Sequence, residues 1–101
     1  MARKEFAVIY RWSVDPDYES YFRERWSAGT LRLKKEFGAL GSCLTRSEEG
    51  DFVAFARWPS EADRDRAFAA IQPVEPWPGI LKFEETKLSV VEDHLTGSTS
   101  G

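Results

Sequence analysis

The chain has 101 residues, 42% hydrophobic and 14% aromatic, with four tryptophans, one domain's worth of sequence, which on folding buries roughly 60–70% of its unfolded surface. Fourteen Lys and Arg against seventeen Asp and Glu leave a net charge of −3, which argues against a nucleic-acid binder needing a basic face for phosphates. No apolar stretch approaches the roughly 20 residues of a membrane span, and after Met1-Ala2-Arg3-Lys4 the run Phe6–Tyr10 is too short for a signal peptide, so a cytoplasmic protein is expected.

Phe6–Trp12 is dense in β-branched and aromatic residues and reads as a strand. Both of its alternations are apolar, Phe6/Val8/Tyr10/Trp12 and Ala7/Ile9, so it expects cover on both faces. Asp15-Pro16 signals a helix start, with Asp15 as N-cap and Pro16 at the first helical position. From Asp17 to about Phe37 the residues Tyr18, Phe22, Trp26, Gly29, Leu33 and Phe37 fall on one stripe, with Tyr21 on its edge. Gly29 inside this helix costs about 1 kcal/mol against alanine, which a close approach of backbone or a hollow would explain. Gly38 is placed for a left-handed cap.

Ser42–Ser47 and Asp51–Trp58 read as strands around Glu48-Glu49-Gly50, where a hairpin wants positive φ. Ser60 heads a capping box with Asp63, and the helix it opens runs to about Ile71, burying Ala67, Phe68, Ile71 and the stem of Arg64. Pro73, Pro76 and Pro78 forbid helix next and hold Trp77 in an irregular loop. Ile80–Glu92 is a last strand, with a bulge suggested by the apolar phase change between Leu81/Phe83 and Leu88/Val90. One domain over 1–95 and a flexible tail over 96–101 are expected.

The order β-α-β-β-α-β is the split unit of ferredoxin-like α+β folds, a four-stranded antiparallel sheet with two helices on one face. Two helices cover one face only, and the doubly apolar strands leave the other to a second copy, so a homodimer is expected. Arg57, out of phase with Trp58, and Arg11 fall on that second face and read as interface residues.

Arg11-Trp12, the capped helix with Trp26 and Thr30, Gly41-Ser42-Cys43-Leu44 and the run Gly50 to Ser60 together resemble the antibiotic biosynthesis monooxygenase-like proteins. Those belong to the dimeric α+β barrel superfamily, and the likeness spans about residues 5–92. It implies a ligand cavity between sheet and helices of each protomer. It also implies one of several activities: cofactor-independent oxidation of polyketide phenols, haem degradation, or none known. The polyketide oxygenases use an asparagine, a tryptophan, a tyrosine and an arginine in the cavity, and this chain has no asparagine. The haem degraders use an asparagine, a strand tryptophan and a histidine on the second helix. Trp58 matches the tryptophan, but the only histidine, His94, lies past the last strand, which disfavours haem degradation.

Trp58, in phase with the small Ala54 and Ala56, and Trp26 on the helical stripe are candidates to line a hollow, while the bland alternative is ordinary core packing. Thr30 and Arg25 flank that stripe and could orient a ligand, although such side chains more often turn to water. Tyr10, Trp58 and His94 are the catalytic candidates: Tyr10 as a phenolic donor, Trp58 as a platform, His94 as the one group that titrates near neutrality. Lone Cys43 excludes an internal disulfide and a cysteine zinc site. No phosphate loop, nucleophile elbow or metal spacing occurs, so neither metal nor cofactor is expected. Two functions stay open: a cofactor-independent monooxygenase-like enzyme acting on an apolar phenolic or quinol-type small molecule, and a non-catalytic dimeric binding or assembly domain.

Overall fold

β1 (Phe6–Val14) occupies the middle of the sheet in a computed structural model that describes residues 5–71 and 75–95. The basic start at 1–4, Pro73 and the expected tail at 96–101 lie outside the described residues. After β1 come α1 (Glu19–Phe37), β2 (Gly41–Arg46), β3 (Phe52–Trp58), α2 (Glu61–Ala70) and β4 (Ile80–Ser89). The strands pair antiparallel in the order β2-β3-β1-β4. This is the expected ferredoxin-like βαββαβ topology, with both helices on one face.

Register sorts the side chains. Phe6, Val8, Tyr10 and Trp12 stand opposite Trp58, Ala56, Ala54 and Phe52 on the helical side. Ala7, Ile9 and Arg11 stand opposite Arg57, Phe55 and Val53 on the other. Along β3 the helical side is buried and the other half-buried, the alternation of a strand with cover on one face. The core gathers Phe6, Val8, Trp58 and Ala67, with Leu33, Phe37 and Phe68 packed against it. Burying side chains as large as Trp58 or Phe22 contributes roughly 1.5–3 kcal/mol each.

The helix starts follow their capping residues with one change. Asp15 accepts from the Asp17 amide at 2.9 Å, but what it caps is a 3-10 turn over Pro16–Tyr18, and α1 begins only at Glu19. Ser60 caps α2 through the Asp63 amide at 3.2 Å, and Gly38 ends α1 at φ 81°. β4 carries a bulge-like irregularity, but at Leu81 and not between Phe83 and Leu88 where the phase changes. Phe83 faces the helical side opposite Trp12, and Leu88 faces the other side opposite Ala7, so the strand shifts its apolar residues from one face to the other along its length. The irregularity falls opposite Ser13 and Val14 of β1, where Leu81 is the extra residue. β4 also stops at Ser89, three residues short of the expected Glu92.

Two glycines have opposite surroundings, and stability measurements separate them. Gly79 sits at φ +80°, and a Cβ there would lie 2.4 Å from Cγ of Tyr18, while its carbonyl accepts from the Asp15 amide at 2.8 Å. Gly79→Ala is expected to lower the urea-unfolding free energy by about 1–3 kcal/mol. Gly29 has nothing within 4 Å of a built Cβ, so Gly29→Ala is expected to raise it by about 1 kcal/mol through helix propensity.

Candidate functional site

Between α1 and the sheet lies a predominantly apolar cavity of about 340 Å3, at the small end of ordinary ligand pockets. α1 contributes Trp26, Gly29, Thr30 and Leu33; α2 contributes Phe68. From the sheet come Tyr10, Trp12, Ala56, Trp58 and Phe83, and Trp77 closes in from the loop before β4. All four tryptophans of the chain line this one space.

The sheet side of the cavity is an aromatic bank. Tyr10 and Trp12 are two apart on β1 and so share a face, with ring centroids 5.7 Å apart and planes inclined by 26°. Phe83, opposite Trp12 on β4, lies 6.1 Å from Tyr10 at 19° and 5.9 Å from Trp12 at 38°. Near-parallel rings at these offsets present the geometry that a further flat ring extends. Phe22, buried at the N-terminal end of α1, meets Trp12 and Trp77 edge-on and stacks on Phe52.

One polar array borders this apolar space. Arg64 of α2 is 8% exposed. Its Nη2 donates to the Tyr10 hydroxyl oxygen at 3.2 Å and also binds the Glu85 carboxylate, while its guanidinium lies over the Phe68 ring at 4.4 Å. Burial pushes the Tyr10 phenol above its ordinary value, against a smaller opposing effect of the Arg64 bond and charge. Tyr10 is therefore protonated at neutral pH, a hydrogen-bond donor and not a base.

The other candidates divide. Trp26, Thr30, Tyr10 and Trp58 all line the cavity, and so does Ala56, whereas Ala54 is fully buried and does not line it. Arg25 does not line it. Its guanidinium donates to the carbonyls of Glu75 at 2.8 Å and Pro76 at 3.3 Å and covers the Trp77 ring at 4.6 Å. It acts on the loop that carries Trp77, because proline-rich backbone leaves carbonyls without ladder partners. His94 is not in the cavity either: it is exposed beyond β4, 3.7 Å from Glu92, and cannot be its base. Arg11 and Arg57 sit on the sheet face away from the helices. Each is engaged within the chain, Arg11 by Asp51 at 2.9 Å and Glu49 at 3.2 Å, Arg57 by Glu5 and by Asp93 at 2.7 Å.

Sequence reasoning left Trp12, Phe83 and Trp77 out of the site, and read only the stem of Arg64. Trp12 was legible, being in phase with Tyr10 and Trp58-facing Phe6; Phe83 was not, because only the β1–β4 register brings it there.

Neither a family model nor a curated protein matches the sequence. Solved structures do. The heme-degrader MhuD of Mycobacterium tuberculosis, with two hemes bound in its active site, matches with TM-score 0.66 and 19% identity over 88% of this chain and 98% of its own length. The monooxygenase from the ActVA-Orf6 gene of Streptomyces coelicolor, in complex with nanaomycin D, matches with TM-score 0.67 and 20% identity over 92% of this chain and 93% of that one. SnoaB, a cofactor-independent oxygenase of Streptomyces nogalater, matches with TM-score 0.63 and 20% identity over 88% and 95%. This chain has their fold. The ferredoxin-like arrangement of four antiparallel strands and two helices expected from the sequence is the one these structures share.

Because every tryptophan touches the cavity, intrinsic fluorescence reports its occupancy. A flat aromatic such as 1,8-dihydroxyanthraquinone is expected to quench it saturably. Gly29→Phe, which projects a ring into the open space at Gly29, is expected to weaken that response at least tenfold with the circular dichroism unchanged; an unaltered titration would place the quencher elsewhere.

Proposed function

We propose that this chain is a cofactor-independent monooxygenase acting on a phenolic or quinol-type aromatic. The observation that carries the reading is the bank of Tyr10, Trp12 and Phe83 rings, with Trp12 and Phe83 each stacked beside Tyr10, next to a protonated Tyr10 hydroxyl in a predominantly apolar space. An electron-rich aromatic anion reduces dioxygen without help, and in the overall conversion of a ring CH2 to C=O one O2 yields one product oxygen and one water. The substrate supplies all four electrons. The protein's part is to stack the ring, exclude water and steady the ionised oxygen with the Tyr10 hydrogen bond. With His94 outside and Tyr10 held neutral, ionisation falls to the substrate itself. Among the described residues the lining offers a haem no His, Cys or Met, and the Tyr10 oxygen already accepts from Arg64.

Among the described residues the lining holds no carboxylate or histidine, which supports a second reading, a binding or assembly domain that holds an apolar aromatic and leaves it unchanged. Oxygen-electrode measurements on metal-stripped, flavin-free protein separate the two. With anthrone the enzyme-dependent uptake is expected to rise with pH through substrate ionisation. Trp58→Phe and Tyr10→Phe are each expected to lower it by about tenfold or more. A panel of phenols giving no uptake above background, yet binding, would select the second reading.

We infer further that the partner is a second copy of this chain on the face opposite the helices, where Ile9, Val53 and Phe55 stay half-buried between Arg11 and Arg57. Sedimentation equilibrium at micromolar concentration is expected to give twice 11.6 kDa. Phe55→Asp is expected to give the monomer mass with helix content retained; a monomeric native chain would remove the dimer.

A further inference from the structure

The hydrogen of the Tyr10 hydroxyl has its direction set by what surrounds the oxygen. Arg64 Nη2 donates to that oxygen at 3.2 Å, and a guanidinium has donors only and keeps its proton. The Tyr10 hydrogen therefore cannot lie along that bond. Glu85, which faces Tyr10 across the β1–β4 register, is bound by the same Arg64 nitrogen and makes no hydrogen bond with the Tyr10 hydroxyl. The other neighbours on this face of the sheet, Val8 and Trp12 of β1 and Ala54 of β3, carry no side-chain acceptor. The charged groups facing Tyr10 are thus Arg64 from α2 and Glu85 from β4, and the remaining open direction is the cavity that Tyr10 lines.

Arg64 is an expensive way to fill its position. It is 8% exposed, its Nη1 reaches Asp65 at 3.5 Å, and its Nε is buried with no partner. An unbranched apolar side chain would occupy the same volume over Phe68 without an unpaired N–H. What only the guanidinium does is hold the phenolic oxygen from behind, which also strengthens the hydroxyl as a donor.

We propose that Arg64 and Glu85 are positioning residues that aim the Tyr10 hydrogen into the cavity, so that the site selects flat aromatics carrying an oxygen acceptor, a phenol oxygen or ring carbonyl, at the edge that meets Tyr10. This rests on the aromatic-binding reading above and narrows its substrate class.

Titration calorimetry with 1-naphthol and its near-isostere 1-methylnaphthalene tests the selection. The ratio of their dissociation constants is expected to shift about tenfold against naphthol in Tyr10→Phe. Arg64→Met is expected to shift it in the same direction by about threefold to tenfold, with Arg64→Lys restoring most of it. A second measurement needs no ligand. Tyrosinate absorbance, taken as the difference between each protein and its Tyr10→Phe counterpart, is expected to show Tyr10 ionising at higher pH in Arg64→Met than in the native chain. A ratio unchanged in both Tyr10→Phe and Arg64→Met, with both probes still bound, overturns the selection and leaves aromatic binding standing. Binding of neither probe to the native chain overturns both. A Tyr10 ionisation indifferent to Arg64→Met makes Arg64 merely structural.

Discussion

Helix α1 is anchored to the sheet at two places and left unsupported between them. At its N-terminal end Phe22 is almost wholly buried, stacked on Phe52 and edge-on to Trp12. At its C-terminal end Leu33 and Phe37 pack on the core of Phe6, Val8, Trp58 and Ala67. The turns between carry Trp26, Gly29 and Thr30 over Ala56, and the small residues on both sides of the gap leave it open. Close-packed interiors rarely leave so large an apolar space, and its lining forgoes dispersion contacts that a filled core would make. The cavity is thus a consequence of where the large side chains were placed along the stripe, and every later feature of the site is hung on its rim.

Arginines outside the lining tie together the elements that form it. Arg64 ties α2 to β1 and β4 behind the aromatic bank, and Arg25 ties α1 to the loop carrying Trp77. Arg46 joins β2 to Glu19 at the start of α1 while lying 4.5 Å over Phe52. The exposed Arg46–Glu19 pair adds little stability by itself. The planar, multiply donating heads of these arginines nonetheless set orientations between elements that apolar contacts leave loose. In a chain of net negative charge, the positive groups are the ones that position the cavity wall.

The same fold holds hemes in MhuD and nanaomycin D in ActVA-Orf6, so the scaffold constrains where a ligand sits and not what happens to it. In this chain the discriminating features are local: a phenol kept neutral by burial, a buried cation behind it, and no histidine in the lining. The first two are the features on which the proposed steadying of an anionic substrate oxygen rests.

The sequence by itself determined the element order, the capped start of α2 at Ser60, the Asp15 cap (though of a 3-10 turn ahead of α1), the doubly apolar β1 and the stripe on α1. Each depends on spacing within one segment, where side-chain direction follows from the local period of 2 or 3.6. From those periods Tyr10, Trp26, Thr30 and Trp58 could be assigned to the inner side. What only the tertiary structure decided is which of the inward residues meet. Phe83 joins Tyr10 and Trp12 because β4 pairs with β1 in one register and no other. Arg64, legible only as a residue on an inward helical face, finds Tyr10 and Glu85 on two different strands. Arg25 and His94 go elsewhere because backbone carbonyls and open solvent, invisible in a linear pattern, offer them partners the cavity does not. Periodicity fixes a direction for each side chain; convergence of several on one point requires the strand order and register that long-range pairing alone imposes.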